Sequence, residues 1–428
     1  MRLKTRLATL VLAVVGFAGT PAVAHAQATV YASIPTGCLG GEVWVLDATS
    51  RKTIARIPIE PLPAFVVASP DGSRVYVRTN TFVGDCGAAF DTVEVIDTSS
   101  QSVIASIPVG AGWTGPLAVS PDGSRLYAGN NHATAPGGNS ISVIDTATNK
   151  VIDTVTGTPV PQTIGASPTG TFVYVANFNL DHVQRLNTRR LTLGAKIPVG
   201  DQPRGMTFAA DTGIAYVVNW MSSDVSVIDP DSGPVATIGV GTNPAGADVS
   251  PDGRMLFVSN FNGRSVTSID TASNSVVGTV NLGGNSTSDV AFAPAGEGRE
   301  AWATADLGLI VLDTRNPQPA VIARVKNSMP ASGIVIVPPP AARRIGQLQG
   351  AVDALRAAGK LNPGQAKALR RKLDQALTQL NKSKTQAAIK RLRAFAKLAR
   401  KLITKGNLDV ADGDPLVTLA AAIARQLA

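Results

Sequence analysis

The chain has 428 residues, 39 Lys and Arg against 30 Asp and Glu, and a formal net charge of +9. Hydrophobic residues make up 44% and charged residues 16%, which supports a large core and excludes a disordered chain. Aromatic content is only 5%, while Gly (41) and Pro (28) are plentiful, a composition expected of many short strands joined by tight turns.

The first residues carry a targeting pattern. Arg2, Lys4 and Arg6 precede the apolar run LATLVLAVVGFAG from Leu7, and Ala24-His25-Ala26 fits a small-residue cleavage signal. The pattern predicts a signal peptide over 1–26, cleaved after Ala26, because the apolar run is short of the ~20 residues a membrane span needs. The expected location is outside the cytoplasm, whether periplasm, cell surface or medium. In such a compartment Cys38 and Cys86 are an even pair able to form a disulfide.

From there the chain repeats itself. Asp47, Asp97, Asp145, Asn187, Asp229, Asp270 and Asp313 end similar VIDT-like stretches spaced 41 to 50 residues apart. Between them recur SPDGSRVYV (69–77), SPDGSRLYA (120–128), SPTGTFVYV (167–175) and SPDGRMLFV (250–258), and a third marker, IPVG, stands at 107–110 and 197–200. Each unit predicts four short antiparallel strands, a to d. The SPDG-type turn joins a to b, and the Asp caps the turn between c and d through its side chain. Four strands per ~42 residues is the arithmetic of a β-propeller blade. The chain opens on a strand b (ATVYASIP) and ends its repeats on an unassigned strand, SGIVIVPP (332–339). The prediction is therefore a seven-bladed all-β propeller over 27–337, with the last strand pairing into the first blade and closing the ring, which removes free sheet edges. Cys38 and Cys86 fall in the b–c loops of blades 1 and 2, expected to be the longest of the set and to share one rim. A bond there would staple the seam, contributing about 2–4 kcal/mol.

Tyr76-Val77-Arg78-Thr79-Asn80, Tyr174-Val175-Ala176-Asn177 and Tyr216-Val217-Val218-Asn219, with the variant Phe257-Val258-Ser259-Asn260, resemble the YVTN family of β-propeller repeats of secreted and surface-layer proteins. That resemblance implies the fold over about 300 residues and leaves function open, since propellers host binding, structural and enzymatic roles.

Composition shifts at Pro338-Pro339-Pro340, expected to be a stiff linker over 338–342. Four amphipathic helices are predicted over 343–428, each with an apolar face: Ile345, Leu348, Val352 and Leu355; Leu369, Leu373, Leu377 and Leu380; Ile389, Leu392, Phe395, Leu402 and Ile403; then Leu416, Leu419, Ile423 and Leu427 after a start at DGDP. Gly359 and Gly406 are the expected stops, and Asn362-Pro363 the expected start of the second helix. LRAAGKLNPGQAKALRRKLDQAL and AFAKLARKLITKGNLD resemble the FIMAH domain, an all-helical module at the ends of extracellular bacterial proteins. This likeness implies an accessory, envelope-facing role.

Charge separates the two parts. Residues 27–340 hold 18 Lys/Arg and 25 Asp/Glu, and residues 341–428 hold 18 and 5. The basic part can meet an anionic envelope polymer or membrane surface, dock on its own acidic propeller, or remain a solvated face. Nucleic acid is disfavoured, because Phe395 is the module's one aromatic and bases need stacking partners.

No GxSxG nucleophile, Walker loop or HExxH occurs, and the two histidines after the signal peptide, His132 and His182, lie in different blades, where each is expected to be a solvated loop residue. The recurring Asp residues keep the repeat symmetry and so point to turn capping. The expectation is a non-catalytic protein with no metal and no cofactor. Less symmetric are Phe178, Trp220 and Phe261, each following the Asn that ends strand b, and Trp113 in the d–a loop before blade 3. With Asn177, Asn219, Asn260 and Arg204 they form a candidate platform for a glycan, peptide or protein partner, the alternative being packing between blades. The reading is an exported binding protein whose propeller face engages a partner and whose basic tail contacts an anionic surface. The rival is an enzyme of lactonase or redox type with a metal or cofactor at the central channel.

Overall fold

In the computed structural model, residues 28–37, 40–80, 91–110, 115–131, 139–158, 160–293, 300–327, 330–338, 341–380 and 384–427 are described. The predicted signal segment and cleavage site, Cys38, Cys86, Trp113 and His132 lie outside them.

The described residues form seven four-stranded antiparallel sheets followed by four helices. The protein is a seven-bladed propeller with a helical C-terminal module. Six blades take their strands consecutively. Blade 1 does not: its innermost strand is β28 (Gly333–Val337), which pairs with β1 (Thr29–Gly37) from Thr29↔Val337 to Ser33↔Gly333. The predicted closure holds. At its edge the Ser33 hydroxyl accepts the Gly333 N–H at 2.9 Å and donates to the Ala64 carbonyl at 2.6 Å, tying blade 1 to blade 2.

The repeat is legible as packing. Tyr31, Tyr76, Tyr127, Tyr174, Tyr216, Phe257 and Trp302 occupy one register of strand b in the seven blades, and none is more than 1% exposed. One large ring per blade fills the wedge between neighbouring sheets, so sparse aromatics suffice for the core. Arginines add bonds between blades: Arg125 donates to the Thr188 carbonyl at 2.7 Å, and Arg51 meets Glu300 at 2.8 Å across blades 1 and 7.

The turns follow the predicted chemistry. In blades 2, 3, 4 and 6 the SPDG-type turn closes with the Gly N–H on the Ser carbonyl at 2.8–2.9 Å, and those glycines sit at φ +71 to +76°, where a side chain would be strained. The c–d turn residues Asp47, Asp97, Asp145, Asn187, Asp229, Asp270 and Asp313 each accept a loop N–H through Oδ1.

Two boundaries differ from expectation. The b–c connection of blade 1 is short, because β1 runs to Gly37 and β2 (Gly40–Asp47) resumes three residues later. The long b–c connections are those of blades 2 and 3. The linker is also shorter than 338–342, since α1 (Ala341–Ala357) begins directly after the prolines.

Helices α2 (Pro363–Leu380), α3 (Thr385–Thr404) and α4 (Val410–Gln426) complete the bundle. Asn362 and Gln365 bond reciprocally at 2.9 Å, a capping box at the predicted α2 start. Gly359 and Gly406 end α1 and α3 at φ +71 and +68°. Helix α4 starts before DGDP and holds Pro415 inside it, with the Gly413 N–H on the Asp409 carbonyl at 2.9 Å fixing the first turn. The bundle core is Ile345, Leu348, Val352, Leu369, Leu373, Leu392, Phe395, Leu416 and Ile423, all at most 0% exposed.

Candidate functional site

The b–c and d–a loops share one face of the ring. Trp220 and Phe261, from blades 5 and 6, stack there with centroids 5.6 Å apart, and the Arg204 guanidinium lies 4.1 Å over the Trp220 ring. All three side chains are half-buried. Burial pushes the Arg204 pKa down, a sign that its charge is partly desolvated. Met221 (57% exposed), Leu180 (47%) and Leu307 (61%) stand on the b–c connections of blades 5, 4 and 7. Phe178 is half-buried on the same face, in blade 4.

The asparagines do not join this platform. Asn177, Asn219 and Asn260 are 0% exposed and lie inside their blades. Each amide Nδ2 reaches across to the start of strand c: Asn219 to Asp224 and Ser226 at 2.6 and 2.9 Å, Asn260 to Ser265 and Thr267 at 3.0 and 2.9 Å, and Asn177 to His182 at 3.0 Å. They are latches between strands. The glycine of the IPVG marker belongs to the same device, because a Cβ at Gly200 or Gly241 would stand 2.7 Å from Asn219 Nδ2 or 2.6 Å from Asn260 Cγ. His182 is likewise buried rather than solvated. Its Nδ1–H donates to the Leu180 carbonyl at 2.8 Å, leaving Nε2 to accept from Asn177.

A second buried network caps blades 2 and 3. Arg78 is 0% exposed, pairs with Asp91 at 3.1 Å, and donates to the Gly110 carbonyl at 2.6 Å and to Asn130 Oδ1 at 3.4 Å. Burial lowers its pKa to about 10 against the opposing pull of Asp91.

The central channel holds what the sequence reading missed. Asp248 and Asp289 lie at the innermost strands of blades 6 and 7, Pro244–Val249 and Val290–Phe292. Asp248 Oδ2 accepts the Phe292 N–H at 2.8 Å, and Asp289 Oδ2 accepts the Ile334 N–H of β28 at 3.1 Å. Each thus clamps its blade to the next. Desolvation pushes both carboxyls up to about 7, and the Asp248 charge adds to the rise at Asp289. Neither Asp follows the repeat: the register of Asp248 is held by Thr207, Gly165 and Ala118 in blades 5, 4 and 3 and by Ala291 in blade 7, and Asp289 lies two residues before Ala291. Among the described residues no three His, Cys, Asp or Glu side chains converge as a metal site. The channel mouth on the opposite face is a cavity of about 780 Å³ walled by Pro70, Pro121, Pro168, Pro251 and Phe208. Beside it a cleft of about 380 Å³ brings Leu380 and Leu427, at the ends of α2 and α4, together with the turns around Pro70 and Pro121.

On the helical module, α3 contains no acidic residue. Lys390, Arg393, Lys397, Arg400 and Lys401 are exposed along one side, with Lys405 just beyond the helix end. Among the described residues none of them has an acidic partner within 4.0 Å. The described ion pairs of the module are Lys360–Asp412 and Arg370–Asp353, both at 2.8 Å.

The FIMAH domain family matches residues 345–425. The C-terminal bundle is a FIMAH domain. No curated protein matches the chain by sequence. Among solved structures, the chain is similar to a periplasmic gluconolactonase of Pseudomonas aeruginosa (TM-score 0.60, 20% identity, 73% of this chain and 99% of that one). It is also similar to a functionally unknown protein of Desulfotomaculum acetoxidans (0.57, 16%, 73% and 99%) and to hydrazine synthase of Kuenenia stuttgartiensis (0.51, 22%, 63% and 88%). At these identities the likeness is one of propeller fold. No helix among the described residues is long and apolar enough to cross a membrane.

Proposed function

We propose that this is an exported, non-catalytic binding protein of the bacterial envelope or extracellular space. The propeller face takes a protein, peptide or glycan partner at Arg204, Trp220 and Phe261, and the FIMAH domain holds the protein to an anionic surface. The observation that carries the reading is the row of exposed cations on α3 with no acidic partner among the described residues: five cations on one side of one helix, with Lys405 just past its end, repel one another and gain no ion pair within the fold. Half-exposed aromatics under an arginine support the partner side, since such groups recur where binding energy concentrates. The test is salt-dependent co-sedimentation with purified envelopes, comparing the full chain with one ending at Pro340, which keeps β28 and the closed ring. Pelleting of the full chain alone, reversed by salt, is expected. Equal, salt-insensitive pelleting of both would overturn the module's part.

A second reading is enzymatic, and one observation favours it. Asp248 and Asp289 at the channel have carboxyls pushed up to about 7, where a carboxyl works as general acid or base at neutral pH. Turnover of a sugar lactone by the full chain, abolished by Asp248→Asn, would establish it. Elemental analysis of purified protein for a divalent metal tests whether a metal takes part.

A further inference from the structure

We infer that the exposed side of α3 is a track for a linear phosphate polymer, which rests on the reading that the module meets an anionic partner and names that partner's class. The argument begins with spacing. Lys390, Arg393, Lys397, Lys401 and Lys405 recur every three or four residues, so they fall on one side of the helix. Over the fifteen residue steps from Lys390 to Lys405 the row is about 22 Å long, with a charge about every 5 Å. Arg400 thickens the same side. A straight line of cations matches a partner whose anions are also strung in a line.

The same helix disfavours a bilayer. Interfacial helices turn an apolar face to the lipid, but the apolar face of α3 (Ile389, Leu392, Phe395, Leu402) is buried in the bundle. In the described part of the module, Val410 is the one large hydrophobic residue counted as exposed, and it lies on α4. The remaining large apolar residues of α3, Leu398 and Ile403, are half-buried against that core and leave no apolar face turned outward. Base recognition is disfavoured too, because Phe395 is 0% exposed and offers no ring for stacking. What remains is charge-to-charge contact with a polymer backbone. The partner's features are repeated anions, for which phosphate suits both Arg and Lys, chain length beyond ~20 Å and no need for bases or acyl chains.

Binding of the full chain to long-chain inorganic polyphosphate is the test, measured by fluorescence anisotropy from 50 to 200 mM salt. About five phosphate contacts predict a log–log salt slope of roughly −3 to −4, near a hundredfold loss over that range. Lys390→Gln with Arg393→Gln, Lys397→Gln and Lys401→Gln should flatten the slope to about −1 and weaken low-salt binding by about a hundredfold. A control that removes four propeller cations, Lys52→Gln, Arg189→Gln, Arg190→Gln and Lys196→Gln, should change binding by less than about threefold. An equal loss in the control would mean that net charge, not the track, binds, and would overturn the inference. Binding to phosphatidylglycerol vesicles without binding to polyphosphate would overturn it while leaving the anionic-surface reading intact. Single-stranded DNA of matched charge should bind no tighter than polyphosphate, and tighter binding would mean that bases are read. If polyphosphate, vesicles and purified envelopes all fail to bind, both readings fall together.

Discussion

The propeller and the FIMAH domain treat charge in opposite ways. In the propeller, carboxylates are built into the backbone. Asp97 takes two loop N–H groups and the Ser99 and Ser100 hydroxyls, Asp270 takes the Ala272 and Ser273 N–H groups and the Ser273 hydroxyl, and hydrogen bonds of this kind hold their pKa values below the usual carboxylate range. Even the buried cation Arg78 has an anion and a carbonyl waiting for it. In the FIMAH domain the exposed cations of α3 have no acidic partner among the described residues. A net of −7 over residues 27–340 and of +13 over 341–428 therefore understates the contrast: one set of charges shapes turns, and the other is available to a partner.

That contrast can be broken from the propeller side first. Arg78→Met leaves Asp91 buried without its cation and should cost about 3–5 kcal/mol in chemical denaturation, while Arg78→Met with Asp91→Leu recovers most of it. If the single variant is as stable as the parent, the buried pair is not part of what holds blades 2 and 3.

The channel clamps come next. Asp248 and Asp289 have folded-state pKa values raised to about 7 from an unfolded value near 3.9. The folded state binds their protons more tightly, so their contribution is fully present below about pH 4 and is lost as pH rises through 7. The expected loss between pH 5 and 8 is on the order of 2 kcal/mol per group. Asp248→Asn with Asp289→Asn keeps acceptors for the Phe292 and Ile334 N–H groups and should flatten that slope in thermal melts. A parent whose stability rises from pH 5 to 8 with an unchanged slope in the variant would contradict the assignment.

Smaller effects separate the two kinds of surface charge. Lys360→Met removes the partly buried pair with Asp412 and should cost about 1 kcal/mol. Lys397→Gln on α3 should leave the unfolding free energy within about 0.5 kcal/mol of the parent while still weakening polyanion binding. A destabilisation as large as that of Lys360→Met would show that the α3 cations serve the fold after all.

The architecture was largely readable before the structure because a repeat multiplies every weak signal. One Tyr-Val-x-Asn segment is ambiguous, but seven strands with an aromatic at one register and seven turn-capping Asp or Asn residues are not. The helices announced themselves through Asn362-Pro363, Gly359 and Gly406. What failed was side-chain direction. Asn177, Asn219 and Asn260 sit beside the face in sequence, yet the alternation of strand b turns each inward, where its amide meets strand c. His182 opens a strand rather than decorating a loop, and its burial follows from pairing with Asn177. Asp248 and Asp289 were missed because an isolated Asp in an apolar strand has no periodicity to reveal it. Their role appears only once blade 7 is set between blades 6 and 1.

The closing strand also sets an order of events. Blade 1 receives β28 from 300 residues away, as in the Ser33–Gly333 contact. During synthesis, six blades can stack while the edge of β1 waits unpaired, a template for any other extended chain. Only when Gly333–Val337 has been made does that edge vanish, at the entropic cost of joining the two ends of a long chain. The FIMAH domain follows directly behind. A propeller interrupted before residue 337 would keep that edge open and be adhesive in the wrong sense: sticky at a strand edge instead of selective at a face.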